Sequence, residues 1–399
     1  MQREALDKDW FEIYKDGCAF DDIDYIKFDQ AKMARQKELF LAGLIDEPTL
    51  KYNVDIQAVS HHKTKLLELQ EIVSSDNSAH LAVKKAYALK IESQLHKVSL
   101  LEAIVRQGDK TVTEASKQIY GAPDEEIMRR ALAATLYVAE RHNFALSEKW
   151  NDLADYFEVE ADGSDIEYKP SDVQNYLTID ELVEFFKKAL VEKNIPWQVQ
   201  VDSTVLVITL SYGRKSVLIP ETRKVTKTEA GALVEHEINV HLARHYNGLK
   251  SPLLLLSVGL GQYLKGEEGL ATYRQSFIDK SMPGTINYFN TCLIMGLYPK
   301  QKFNFRQIFN LSKEYYEMLG VSKERILDES WKRCMRTFRG TTGQSAGEAF
   351  TRDLIYFSGY LGVKDLIESP DPEVERFLVG KYDPTNQDHI DILNQLDIL

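Results

Sequence analysis

The sequence is poor in cysteine. Of 399 residues only Cys18, Cys292 and Cys334 are cysteines, and none forms a C-x-x-C pair. So sparse and odd a count excludes a disulfide framework and fits a reducing compartment. Long apolar runs are missing too. The longest, PLLLLSVGL at 252–260, falls far short of the ~20 residues that a membrane span needs. The N-terminus, MQREALDKDWFEIYKD, is charged throughout and lacks the apolar stretch of a secretory signal. A cytoplasmic protein with no membrane partner is expected. Positive charge is in deficit: the formal net charge is -12, which on average repels nucleic acid and anionic membrane. No nucleic-acid partner is expected. The sequence shows no internal repeat and no low-complexity tract.

What is present is a core-forming composition, 44% hydrophobic, in a chain long enough for one large domain or a few smaller ones. Residues 1–125 read as a helical lobe. AKMARQKELFLAGL and KKAYALKIESQLHKVSLLEAIVRQ carry apolar residues at three-and-four spacing. YGAPDEE at 120–126 is a turn, with Pro123 and Asp124 starting the next helix. SDIEYKPSD at 164–172 reads as a surface loop, and LTIDELVEFFKKALVEKN as an amphipathic helix. The pattern changes at Pro196. Over about 196–222 WQVQVD, TVLVITLSYG and RKSVLIPE predict two or three short strands, with a hairpin turn at Gly213. From 250 onward the chain returns to helix. The fold class is α+β, mainly α.

Directly after the strands lies EHEINVH, residues 235–241. Thr226 and Glu229 form a T-x-x-E capping box at the start of its helix, and Asn247-Gly248 reads as the C-cap, giving a helix over about 227–246. Two histidines and a glutamate resemble the H-E-x-x-H metal signature, but the second histidine comes one residue late and Val240 holds the ligand position. In a regular helix positions i and i+5 are ~140° apart and cannot hold one ion. A π-bulge would bring His236 and His241 back together. His241 and His245 are spaced i,i+4 without distortion, but Leu242 stands where the base would follow. From the residues alone two readings stand: a bulged metal site, or a polar helix that carries surface or core histidines. Downstream, KGEEGLATY at 265–273 offers Glu267 and Glu268, either as a third ligand or as solvated acids favoured by a helix N-terminus.

The pair of motifs, HEINVH followed by EEGLA, resembles the tyrosine carboxypeptidase family, which includes the microtubule-associated tyrosine carboxypeptidases and a bacterial branch of QEGLA-motif proteins. EPTLKY (47–52), IYGAPDEE (119–126), MRTFRG (335–340) and FTRDLIYFSGY (350–360) look like further landmarks of that family, so the resemblance spans most of the chain. It implies a zincin-like metallopeptidase core over 126–399, with a small sheet, joined to the helical lobe as one structural unit. It implies one Zn2+ held by His236, His241 and Glu268, with Glu237 as general base and Glu267 outside the ligand set. It implies a zinc-dependent carboxypeptidase acting on the C-terminus of a peptide or protein. Such an enzyme needs a cation for the substrate's terminal carboxylate and a donor for the oxyanion. Arg336, Arg339, Arg352 and Tyr356 are the candidates, the last two spaced i,i+4 as if on one helix face. The competing readings are a non-proteolytic regulator that keeps the fold and a metallohydrolase of small amides. An intact Glu237 beside the first histidine favours the peptidase.

Overall fold

The chain is described by a computed structural model over residues 4–169, 175–205, 207–370 and 372–399. It is mainly helical, with two small sheets. Strands β1 (Lys27–Phe28) and β2 (Tyr52–Asn53) form a two-residue antiparallel ladder. Strands β3 (Gln198–Val201), β4 (Thr209–Ser211) and β5 (Ser216–Ile219) form the second sheet in the order β3-β5-β4. β4 and β5 make the expected hairpin, with Gly213 in its turn, and β3 lies parallel on the other side of β5. Among the described residues no helix is long and apolar enough to cross a membrane.

The helices begin where the sequence supplies a cap. Asp124 accepts from the Ile127 N–H and starts helix Glu125–Arg141. Thr178 and Glu181 close a reciprocal capping box ahead of helix Ile179–Glu192, and Thr226 and Glu229 do the same ahead of helix Lys227–Val234. The expected loop at 164–172 is a turn and irregular chain over 164–169, and 170–172 lie outside the described residues.

Three apolar clusters set the architecture. One joins the N-terminal helices to the run after residue 250: Leu253, Leu255, Leu256 and Leu260 pack with Tyr87, Leu101, Ile355 and Ile392. The 252–260 run is thus core, as a short apolar stretch between helices should be. A second cluster packs helix Glu125–Arg141 against the C-terminal helices, through residues such as Leu132, Phe289, Phe305 and Phe357. The third lies between the β3–β5 sheet, helix Ile179–Glu192 and the helix that carries EHEINVH.

That last helix runs without a break from 227 to 250, as Lys227–Val234, a π-helical stretch Glu235–Leu242, and Ala243–Lys250. It extends past the C-cap expected at Asn247-Gly248. Gly248 is instead a point of close approach: a Cβ there would lie 2.4 Å from the Leu256 carbonyl carbon. The glycine lets the buried 253–257 segment pack onto the helix backbone, a requirement that in sequence looks the same as a helix end.

Candidate metal centre and active site

The site rests on a helix with two sides already taken. Ile238 and Leu242 face the sheet cluster and Val240 faces the large helical cluster, all fully buried. Val240, the residue in the expected ligand position, is therefore a core residue. The π-helical stretch resolves the late histidine. Hydrogen bonds from i to i+5 place His241 over His236, and the two rings lie edge-to-face with centroids 4.7 Å apart.

Helix Leu264–Asp279 supplies the third group. Glu268 Oε2 lies 3.6 Å from His236 Nε2 and 3.9 Å from His241 Nε2. One ligand atom from each of His236, His241 and Glu268 falls within 4.8 Å of the others. Ligand atoms around a tetrahedral zinc, bonded at about 2.0–2.1 Å, stand roughly 3.3 Å apart, so the spacing fits. The imidazole edges facing away from this point are occupied. His236 Nδ1 bonds Gln275 Oε1 at 2.9 Å, and the Gln275 amide in turn donates to Asp279. His241 Nδ1 bonds Glu267 Oε1 at 2.8 Å. With both Nδ1 atoms bonded to oxygens, both Nε2 atoms face Glu268, the arrangement that orients a metal-binding histidine. Burial pushes His236 down. The Glu268 hydrogen bond and the charges of Glu237 and Glu268 outweigh burial and lift it to about 9. The pocket thus carries more negative charge than its own imidazoles balance, which suits a bound cation.

Glu267 is the residue whose importance the sequence did not reveal. It is 1% exposed, takes hydrogen bonds from His241 and Arg244, and forms an ion pair with Lys381. Burial pushes its carboxyl up, but Lys381 and Arg244 outweigh that and hold it below the usual carboxylate range. Arg244, on the same helix as the histidines, is fully buried. Its distance of three residues from His241 is a sequence signal for a shared face. Lys381 lies more than a hundred residues from either motif and left no local signal.

The close approach of the EEGLA helix to another helix explains the glycine of EEGLA. Helix Leu264–Asp279 crosses helix Leu354–Ile367 at two facing glycines. A Cβ on Gly269 would meet the Gly359 carbonyl at 2.4 Å, and one on Gly359 would meet the Lys265 carbonyl oxygen at 2.2 Å.

The remaining candidates divide. His245 is committed elsewhere: its Nδ1 bonds the Ser257 carbonyl and its ring lies against Tyr212, so it is no rival partner for His241. Glu237 takes no hydrogen bond from any described residue and lies beside the triad. Arg336 is locked onto Asp353 at 2.6 Å and stacks over Tyr356. Arg352 pairs with Asp21 and Asp22 and donates to Tyr120. It lies in the 3-10 turn Thr351–Asp353, ahead of the helix that holds Tyr356, so the two do not share a helix face in the expected sense. Both nevertheless act electrostatically on Glu268. Arg339 is different. It has no ion pair among the described residues, its Nε is buried without a partner, and burial together with Arg336 lowers it from its ordinary value. It is a guanidinium short of an anion.

A mainly helical protein with a small sheet and a convergent His-His-Glu cluster defines the class structurally, and comparison with known proteins supplies the family. The chain belongs to the microtubule-associated tyrosine carboxypeptidase family, whose pattern matches residues 37–399. Membership assigns a carboxypeptidase-type function. No curated protein matches the chain.

Proposed function

We propose that the chain is a zinc-dependent carboxypeptidase with a zincin-like core, and that His236, His241 and Glu268 hold the metal. The observation that carries this reading is the convergence of both Nε2 atoms and one Glu268 oxygen, with both Nδ1 atoms already bonded to Gln275 and Glu267. The β3–β5 sheet packed on Ile238 and Leu242 supports the zincin-like reading, since it fixes the metal helix from behind. A zinc ion at this site would supply Lewis acidity and an acidified water.

The chain's own residues do the rest. Glu237, with a carboxylate not engaged elsewhere, accepts the proton of the attacking water and delivers it to the leaving amine as the C–N bond breaks. Arg339 binds the terminal carboxylate of the substrate, which completes its missing ion pair with a bidentate contact. Arg336 and Arg352 are already balanced by Asp353, Asp21 and Asp22, which leaves Arg339 as the candidate arginine without an ion pair among the described residues. The substrate is the C-terminus of a peptide or protein.

The test is Glu237→Gln. It should retain about one zinc per chain by elemental analysis and lose activity on peptides with free C-termini by roughly 10²–10⁴-fold. Wild-type turnover in that variant, or a wild-type chain that takes up no zinc, would refute the reading.

A further inference from the structure

The two histidines are backed by different chemistry. Behind His241 stands the Glu267 carboxylate, which can only accept. Behind His236 stands Gln275, whose amide has an accepting oxygen and a donating NH2 and could turn either end to the ring. Asp279 lies one turn further on, at the end of helix Leu264–Asp279. Its Oδ2 accepts from Gln275 Nε2 at 2.8 Å, an i,i+4 pair on one helix face. Its Oδ1 accepts from the Ser281 N–H at 3.1 Å, where the chain passes through Lys280 in the left-handed region, φ 51°. Donors therefore meet both oxygens of Asp279, and one of them belongs to the backbone and cannot turn over. The helix itself gains nothing from this residue. An anion in the last turn opposes the negative end of the dipole. Asp279 has no ion pair among the described residues, and the neighbouring Lys280 ammonium pairs with Glu167 at 3.1 Å instead.

A carboxylate has no hydrogen to give. The end of the Gln275 amide that faces Asp279 must be its NH2, so the end that faces His236 must be its oxygen. An acceptor oxygen 2.9 Å from Nδ1 requires a hydrogen on Nδ1, whether the ring is neutral or charged. Nε2, 3.6 Å from Glu268 Oε2, is then the nitrogen left for a metal. A flipped amide would do the reverse. It would offer its NH2 to Nδ1 and drive the hydrogen to Nε2, where it would block the shared point.

We propose that Asp279, which bonds neither histidine, is a positioning residue of the metal site: through the Gln275 amide it holds His236 with its hydrogen on Nδ1 and its Nε2 open. This rests on the reading of His236 as a metal ligand. The last turn of the EEGLA helix then aims one histidine, as Glu267 in its first turn aims the other. Partners of this kind set the orientation and basicity of a metal-binding imidazole.

The experiment is Asp279→Asn in the full-length protein, alone and combined with Gln275→Glu. Melting temperatures are measured first and should stay close to wild type. An asparagine has a single oxygen. The fixed Ser281 N–H holds that oxygen, so the new NH2 faces Gln275 and the glutamine amide flips. Zinc affinity, measured by competition with a chelator, should fall about 10–100-fold. Adding Gln275→Glu returns an acceptor to the ring and should restore the affinity, which a merely structural loss would not allow. In the imidazole nitrogen spectrum of the zinc-loaded protein with isotope-labelled histidine, the Nδ1 hydrogen of His236 should be protected from exchange in wild type and in the double variant. It should exchange freely in Asp279→Asn. Wild-type zinc affinity and a protected Nδ1 hydrogen in Asp279→Asn, or a loss that Gln275→Glu does not recover, would overturn the role of Asp279 alone. A wild-type protein that takes up no zinc would overturn the metal reading as well.

Discussion

Glu267 Oε1 lies 2.8 Å from His241 Nδ1, in a carboxylate that is also ion-paired with Arg244 and Lys381. The adjacent glutamates of EEGLA therefore have opposite tasks. Glu268 faces the space between the histidines, while Glu267 sits behind one of them and sets its tautomer and direction. Removing such a partner typically weakens metal binding about 10–100-fold. Glu267→Ala should do so, and it should also destabilise the fold by roughly 3–5 kcal/mol, because two buried cations lose their counter-ion. Glu267→Gln retains an acceptor for the Nδ1–H and should lose less of both. Zinc competition with a chromophoric chelator and urea melts would separate the two effects.

Gly269 and Gly359 set the distance between two helices, and one of these carries Glu268. Gly269→Ala forces a methyl group into backbone atoms of the neighbouring helix. The cost should be about 1–3 kcal/mol of overpacking. Because the strain is relieved only by moving helix Leu264–Asp279, zinc affinity should fall together with stability. A melting temperature that drops while zinc affinity holds would show that the helix pair adjusts elsewhere.

Asp7 lies outside the family-matched range 37–399, yet it is buried and accepts from the Leu254 and Leu255 N–H groups and the Tyr87 hydroxyl. It pins the segment that links the two motif helices. Asp7→Ala orphans those donors at about 1–3 kcal/mol for each one left buried. The midpoint of urea unfolding should move down clearly. An unchanged midpoint would mean that water replaces the carboxylate there.

All three cysteines are buried, and burial raises each thiol, Cys18 to about 11. The thiolate is the reactive form. Ellman's reagent at pH 8 should therefore find no fast-reacting thiol in the native protein and three after denaturation. A rapid native reaction at Cys18 would show that the N-terminal segment opens.

Local sequence carried much of the fold. Thr226 and Glu229 placed the start of the metal helix, and Asp124 the start of another, because a cap is a contact between residues three apart. The β4–β5 hairpin was legible for the same reason. Where local rules misled, a distant partner had intervened. Gly248 looks like a helix end but answers to the Leu256 backbone. Arg336 and Arg352 look like unpaired cations in sequence but are ion-paired with Asp353, Asp21 and Asp22.

The sequence by itself determined the element order, the core-forming runs and the candidates for the site: His236, Glu237, His241 and, through the family resemblance, Glu268. The tertiary structure alone decided what Glu267 touches, which arginine lacks an anion, and how a five-residue spacing becomes a shared face. The physical reason is range. Caps, periodicity and turns are set by neighbours a few residues apart, and those can be read along the chain. The direction of a side chain in a buried, charged site is set by ion pairs and close backbone contacts such as Lys381 to Glu267 and Gly269 to Gly359, and these exist only once the chain has folded.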